Sequence, residues 1–154
     1  MLKNIRISEL QFHLRDENCK VYPATINELP FYLCLKHDDR KIYDEYFYTA
    51  KKNCKDNYTG ASQHYEHFCN LSKDLKINGW CPTQYITISK NPTGKWARLN
   101  KTHMTRDGGL YRVDDAMHRL SILYFLYGDV CLKLIDIFAK RRGYYQPIIE
   151  GGDV

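Results

Sequence analysis

Apolar and polar residues alternate near the start of the chain. Ile5 and Ile7, then Phe12 and Leu14, are separated by polar neighbours, which predicts a strand or hairpin over residues 3–14. The polar run Arg15-Asp16-Glu17-Asn18 ends it, and residues 20–24 read as a second short strand. Thr25 or Asn27 is placed to cap a helix beginning near Glu28, with Pro30 in its first turn and Leu29, Leu33 and Cys34 facing inward. Tyr43, Tyr46 and Phe47, with Ile42 alongside, share one helical face inside the charged stretch that starts at Lys36. A third helix is expected from a Ser62 cap to Asn78, ended by Gly79, with Tyr65, Phe68, Cys69 and Leu75 inward. Pro82 and a strand over residues 85–89 follow.

The stretch from Asp107 to Asp129 is the most informative. Gly108 and Gly109 mark a turn, and residues 110–113 form an apolar run long enough for one small strand. Asp114 and Asp115 follow, either able to cap a helix by accepting a backbone N–H. Leu120, Leu123, Tyr124 and Tyr127 then fall on one helical face, and Gly128 sits where a left-handed residue closes a helix. A strand is expected over residues 130–138, and residues 140–154 read as a partly ordered extension docked by Tyr144, Tyr145, Ile148 and Ile149.

Strand, acidic turn and helix put His118 and Arg119 in a first helical turn. Helix starts expose unpaired N–H groups and attract phosphate. Arg119 adds a planar fork suited to phosphate oxygens, and His118 can donate a hydrogen bond or move a proton near neutral pH. Asp115 can hold Mg²⁺ or accept a hydroxyl proton. The plainer reading makes Asp115 only a cap and leaves Arg119 solvated.

Composition narrows the classes. The 154 residues carry a net charge of +5, which suits a phosphate-bearing ligand without requiring nucleic acid. Thirteen tyrosines make aromatic rings a large part of the apolar area. No apolar run of about 18 residues occurs, so no membrane partner is expected. The charged first ten residues lack a signal-peptide core, so a cytoplasmic location is expected. The six cysteines form no C-x-x-C pair and are read as free thiols. His64 and His67 lack a third ligand nearby and are read as surface residues. Residues 90–109 are basic, with Lys101, Arg106 and Trp96; they form either a solvated loop or a flap over an anionic substrate.

The segment Val113-Asp114-Asp115-Ala116-Met117-His118-Arg119-Leu120, with its helix and Gly128, resembles the signature of the ParB/sulfiredoxin superfamily. Asp115 matches the family's acid, Ala116 its usual glycine, Met117 its variable position and His118-Arg119 its His-Arg pair. Upstream, Gly79, Pro82 and the strand after them are similar to the family's order, so the resemblance covers roughly residues 65–138. It implies one α+β (α/β) domain over 1–154, a small mixed sheet flanked by helices. Sulfiredoxins carry a cysteine immediately before His-Arg, where this chain has Met117. ParB partition proteins bind CTP and continue into a helix-turn-helix domain, for which too little chain follows Gly128.

The kinase branch, which includes free-serine kinases, resembles this chain best. It implies a cofactor pair of ATP or ADP with Mg²⁺, and a small hydroxyl-bearing acceptor such as an amino acid, polyol or sugar. Met117, His118 and Arg119 would then bind phosphate, with Lys101 and Arg106 as flap contacts. Asp115 would hold the metal or orient the acceptor. A second acid from the N-terminal half would complete the site, drawn from Asp38, Asp39 and Glu45, with Asp39 chosen as catalytic beside Asp115 and His118. The alternative is a non-catalytic module that binds a nucleotide or a nucleic acid through the basic stretch and Trp96; a purely structural domain is the third reading.

Overall fold

A computed structural model describes residues 2–18, 20–51, 61–90 and 111–149. Its strands are β1 (Ile5–Arg6), β2 (Leu10–Arg15), β3 (Val21–Ala24), β4 (Ile86–Lys90), β5 (Tyr111–Val113), β6 (Cys131–Ala139) and β7 (Arg142–Ile148). The helices are α1 (Pro30–Lys36), α2 (Arg40–Lys51), α3 (Ala61–Asn78) and α4 (Met117–Tyr127). The chain is therefore mixed α+β. Its seven-stranded sheet runs β1-β6-β7-β4-β5-β2-β3, and β2 and β5 are parallel while the other pairs are antiparallel.

Side-chain alternation decides what each strand buries. Leu10, Phe12 and Leu14 of β2, Ile86 and Ile88 of β4, Tyr111 and Val113 of β5, Leu132 of β6 and Tyr145 of β7 all join one core. The helices supply Phe31, Tyr43, Phe47, Phe68, Leu120 and Leu123 to it. Between the helices, Tyr43 is the centre of an aromatic cluster: its ring lies 5.6 Å from Phe31, 5.4 Å from Phe68 and 4.8 Å from Phe47. The tyrosines are divided: Tyr43, Tyr111 and Tyr145 are buried in the core, while Tyr22, Tyr48, Tyr85 and Tyr127 are exposed.

Three expectations change. The N-terminal segment is not one continuous strand, because a 3-10 turn at Ile7–Glu9 separates β1 from β2 and lets them pair with different neighbours. Near Glu28 there is a 3-10 turn, Ile26–Glu28, and not yet an α-helix; the Glu28 carboxylate takes the backbone N–H of Thr25 at 3.1 Å and its hydroxyl at 3.0 Å. Pro30 then opens α1 as its first residue.

The largest correction concerns residues 140–154. Residues 142–148 are not an extension. They form β7, inside the sheet between β6 and β4. Gly143 and Tyr145 face inward, and a Cβ at Gly143 would stand 2.7 Å from Leu134 Cδ1 and 3.1 Å from the Asp136 carbonyl oxygen. The Tyr145 hydroxyl donates to the Lys3 carbonyl oxygen at 2.8 Å, which ties the two ends of the described chain together. Among the described residues, no helix is long and apolar enough to cross a membrane.

Tyr145 has no exposed surface, so Tyr145→Ala removes a packed ring and orphans an acceptor. It is expected to cost about 3–5 kcal/mol of stability, read as a lower urea midpoint with little change in slope. A midpoint shift as small as that of a surface substitution would contradict the placement of β7.

Candidate functional site

β5 is three residues long, and where it leaves the sheet the ladder to β4 is finished by two aspartates. Asp114 N–H donates to the Thr87 carbonyl oxygen at 2.9 Å, as a continuing antiparallel pair would. The reciprocal bond goes elsewhere: the Thr87 N–H is accepted by the Asp115 carboxylate, Oδ1, at 2.9 Å. A side chain thus takes the place of a backbone carbonyl and satisfies an N–H that the departing strand leaves behind. The second oxygen of Asp115 accepts no hydrogen bond among the described residues, and the side chain is exposed.

Asp114 is committed differently. Its carboxylate accepts from the Ser89 hydroxyl, lies 3.2 Å from Arg112 Nε and 3.9 Å from Arg142 Nε. Burial lowers the pKa of Arg112, Asp114 opposes that shift, and the nearby Arg142 adds to it. Burial, then Arg112, also lower the pKa of His13 on the adjoining strand, with Asp114 opposing the shift.

Neither aspartate caps α4, contrary to the sequence expectation. The residue before the helix is Ala116, at φ 72° and ψ 24°, and no side chain caps the helix start. The reason is the bond to β4: with Asp115 held across to Thr87, the chain must reverse within one residue to begin the helix. Only a left-handed backbone does that here, a conformation that costs alanine roughly 1–2 kcal/mol. Leu120 N–H closes the first helical bond to the Ala116 carbonyl oxygen at 2.9 Å. At the other end Gly128 lies at φ 81°, as its position predicted, and donates to Tyr124.

The helix start presents Arg119 outward. Arg119 Nη1 donates to Gln84 Oε1 at 3.0 Å, and its guanidinium carbon sits 5.1 Å from the Trp80 ring centroid. Trp80 and Gln84 belong to the turn between α3 and β4. That turn is braced by Trp80 Nε1 donating to the Gln84 carbonyl oxygen at 2.8 Å and by Gln146 Nε2 of β7 donating to the Pro82 carbonyl oxygen at 2.6 Å. Gly79 and Pro82 marked this turn in the sequence, but nothing linked Gln84 to a residue 35 positions away. Cys81 lies in the same turn, exposed, and the Thr83 hydroxyl 3.1 Å from its sulfur lowers its pKa. Cys34 contrasts with it: burial pushes its thiol up to about 12.

The other expected site residues lie elsewhere. The His118 ring points between the helices, 4.3 Å from Phe31 and 5.4 Å from Phe68, with Nε2 buried. It is part of the aromatic cluster rather than of the outward turn. Asp39 precedes α2 and its Oδ1 accepts the Lys41 N–H at 3.0 Å, a capping role, with no hydrogen bond to the β5–α4 turn. Lys101 and Arg106, like Trp96, lie outside the described residues. The structure therefore gathers Asp115, the first N–H groups of α4 and Arg119 at one corner, and leaves Asp39 and the His118 ring outside it.

No protein-family model matches this chain, and neither curated proteins nor solved structures give a match.

The strain at Ala116 is testable. Ala116→Gly relieves the left-handed penalty and gives back part of it through the freer unfolded chain, for a net gain of up to about 1 kcal/mol. The urea midpoint should rise. A clear fall would mean that the alanine methyl, not the backbone turn, holds this junction.

Proposed function

We propose that this chain is a ParB/sulfiredoxin-like domain of the kinase type. It binds the phosphates of ATP or ADP at the start of α4 and passes a phosphoryl group to a small hydroxyl-bearing acceptor, such as an amino acid, polyol or sugar. The observation that carries the reading is Ala116. It stands where the resembled family has glycine, its φ of 72° is one that glycine adopts freely, and the helix after it starts without a side-chain cap. An uncapped helix start offers its N–H groups to an anion.

Three neighbours support the same chemistry. Arg119 is held in place by Gln84 and Trp80 while keeping further N–H donors for phosphate oxygens. Asp115 keeps one open carboxylate oxygen beside the same turn. Magnesium takes one or two carboxylates and fills the rest of its shell with water and phosphate oxygens, so this single oxygen fits it. When bound there, the metal would neutralise phosphate charge. In its absence from the contact, the same oxygen is placed to orient an acceptor hydroxyl. His118 contributes through its backbone N–H in this reading, because its ring packs against Phe31 and Phe68. Met117, in the place of the sulfiredoxin thiol, gives no nucleophile for that family's other reaction.

The test separates chemistry from folding. Asp115→Ala would remove the acceptor of the partly exposed Thr87 N–H, at about 0.5–1.5 kcal/mol. Asp115→Asn keeps a carbonyl oxygen for that bond and removes the charge. Phosphorus NMR of the protein with ATP and Mg²⁺ against pools of amino acids, polyols and sugars should give a new phosphomonoester signal. That signal should vanish in Asp115→Asn while the melting temperature holds. Unchanged ATP across all pools, or full activity in Asp115→Asn, contradicts the assignment.

A further inference from the structure

The second face of the sheet carries a row of aromatic rings that the core does not use. Tyr144 lies on β7 opposite Thr87, so it points away from Tyr145, Ile86 and Ile88, which are fully buried on the other side. Phe138 of β6 stacks on Tyr144 with ring centroids 4.3 Å apart and planes inclined by 24°. On the other flank Tyr85, one residue before β4, lies 5.6 Å from Tyr144. β6, β7 and β4 are consecutive in the sheet, so the three rings form a line across it. The outer two are open to solvent, Phe138 at 43% and Tyr85 at 41%.

Most of the nearby cations stand at one end of this line. Lys140 and Arg141 make the turn between β6 and β7, Arg142 opens β7 with half of its side chain exposed, and Lys133 is exposed on β6. Asp136, opposite Tyr144, is the single acid in residues 131–148, and Asp114 stands 3.9 Å from Arg142 Nε, which leaves Lys140, Arg141 and Lys133 as the cations outside an ion pair with it. Open rings with a surplus of positive charge at one end are the two parts that hold single-stranded nucleic acid: bases stack on rings, and phosphates track the cations.

We propose that this face binds single-stranded nucleic acid, independently of the phosphate site at α4. The charge order argues against a bilayer. The hairpin tip is Lys140-Arg141-Arg142 and the rings stand behind it, so tip-first insertion would carry three cations into hydrocarbon ahead of any apolar surface. A peptide adding as a strand needs a free sheet edge, and β6, β7 and β4 are all internal. A base laid on the exposed side of Phe138 extends a stack that already holds two rings.

Fluorescence anisotropy with a short labelled oligothymidylate at low salt tests this directly. The wild-type chain should bind, more weakly as salt rises, and more tightly than it binds duplex DNA of the same length. Phe138→Ala and Tyr85→Ala should each weaken binding by about tenfold at an unchanged melting temperature. The Lys140→Ser, Arg141→Ser double variant should lower the salt slope by about two. The proposal is overturned by no anisotropy change at low salt, by equal affinity for duplex, or by ring variants that bind like wild type. Sedimentation with phosphatidylserine vesicles without any oligonucleotide binding would overturn it in favour of a lipid surface. The Asp115 and Arg119 hydrogen bonds go to Thr87 and Gln84, and the ring contacts of Phe138 and Tyr85 go to Tyr144, so the Phe138 variant reads apart from phosphoryl transfer.

Discussion

The backbone N–H of Thr87 sets the geometry of this protein's most distinctive corner. β5 ends after three residues, and the Thr87 N–H is left without a backbone partner on the neighbouring strand. Asp115 answers it with a carboxylate oxygen at 2.9 Å. Once that side chain is fixed, the chain has one residue in which to turn from sheet to helix. Ala116 makes the turn by entering the left-handed region, at φ 72°. The helix start is left without a side-chain cap because the residue that would have capped it is used by the sheet.

Other parts of the fold follow from the direction that α4 then takes. His118 enters the space between α1, α2 and α3, against Phe31, Tyr43 and Phe68, so the aromatic cluster and the helix start are mechanically joined. Arg119, the next residue, lies on a different side of α4 and meets the turn between α3 and β4. That turn is pinned in its other half by Gln146 of β7. A strand near the C-terminal end therefore supports the position of an arginine on α4 through a glutamine and a proline carbonyl. β7 also divides the sheet's two faces, with Tyr145 in the core and Tyr144 in the open aromatic row.

Local signals in the sequence located α4 well. The spacing of Leu120, Leu123 and Tyr124 and the glycine at 128 are properties of the helix itself, and the helix forms where they point. The role of Asp115 was not legible in the same way. A carboxylate before a helix has two kinds of N–H to accept from, those of the helix and those of a neighbouring strand. Only the short length of β5 decides between them. β7 was hidden for a related reason. Arg142, Tyr144 and Gln146 face outward and Gly143 offers no side chain, so a central strand reads as a basic tail. Asp39 and Gln84 show the limit from both sides: the first is a charged residue used up locally as a cap, the second an ordinary polar residue given importance by Arg119.

The central claim is that the uncapped start of α4 is a phosphate site. It is tested most directly by following the backbone amide resonances of the ¹⁵N-labelled protein as ATP with Mg²⁺ is added. The account predicts saturable shifts concentrated at Met117, His118 and Arg119, lost when Arg119 is changed to Gln at unchanged stability. Shifts that spare these three amides while moving resonances elsewhere, or no shifts at all, would contradict it.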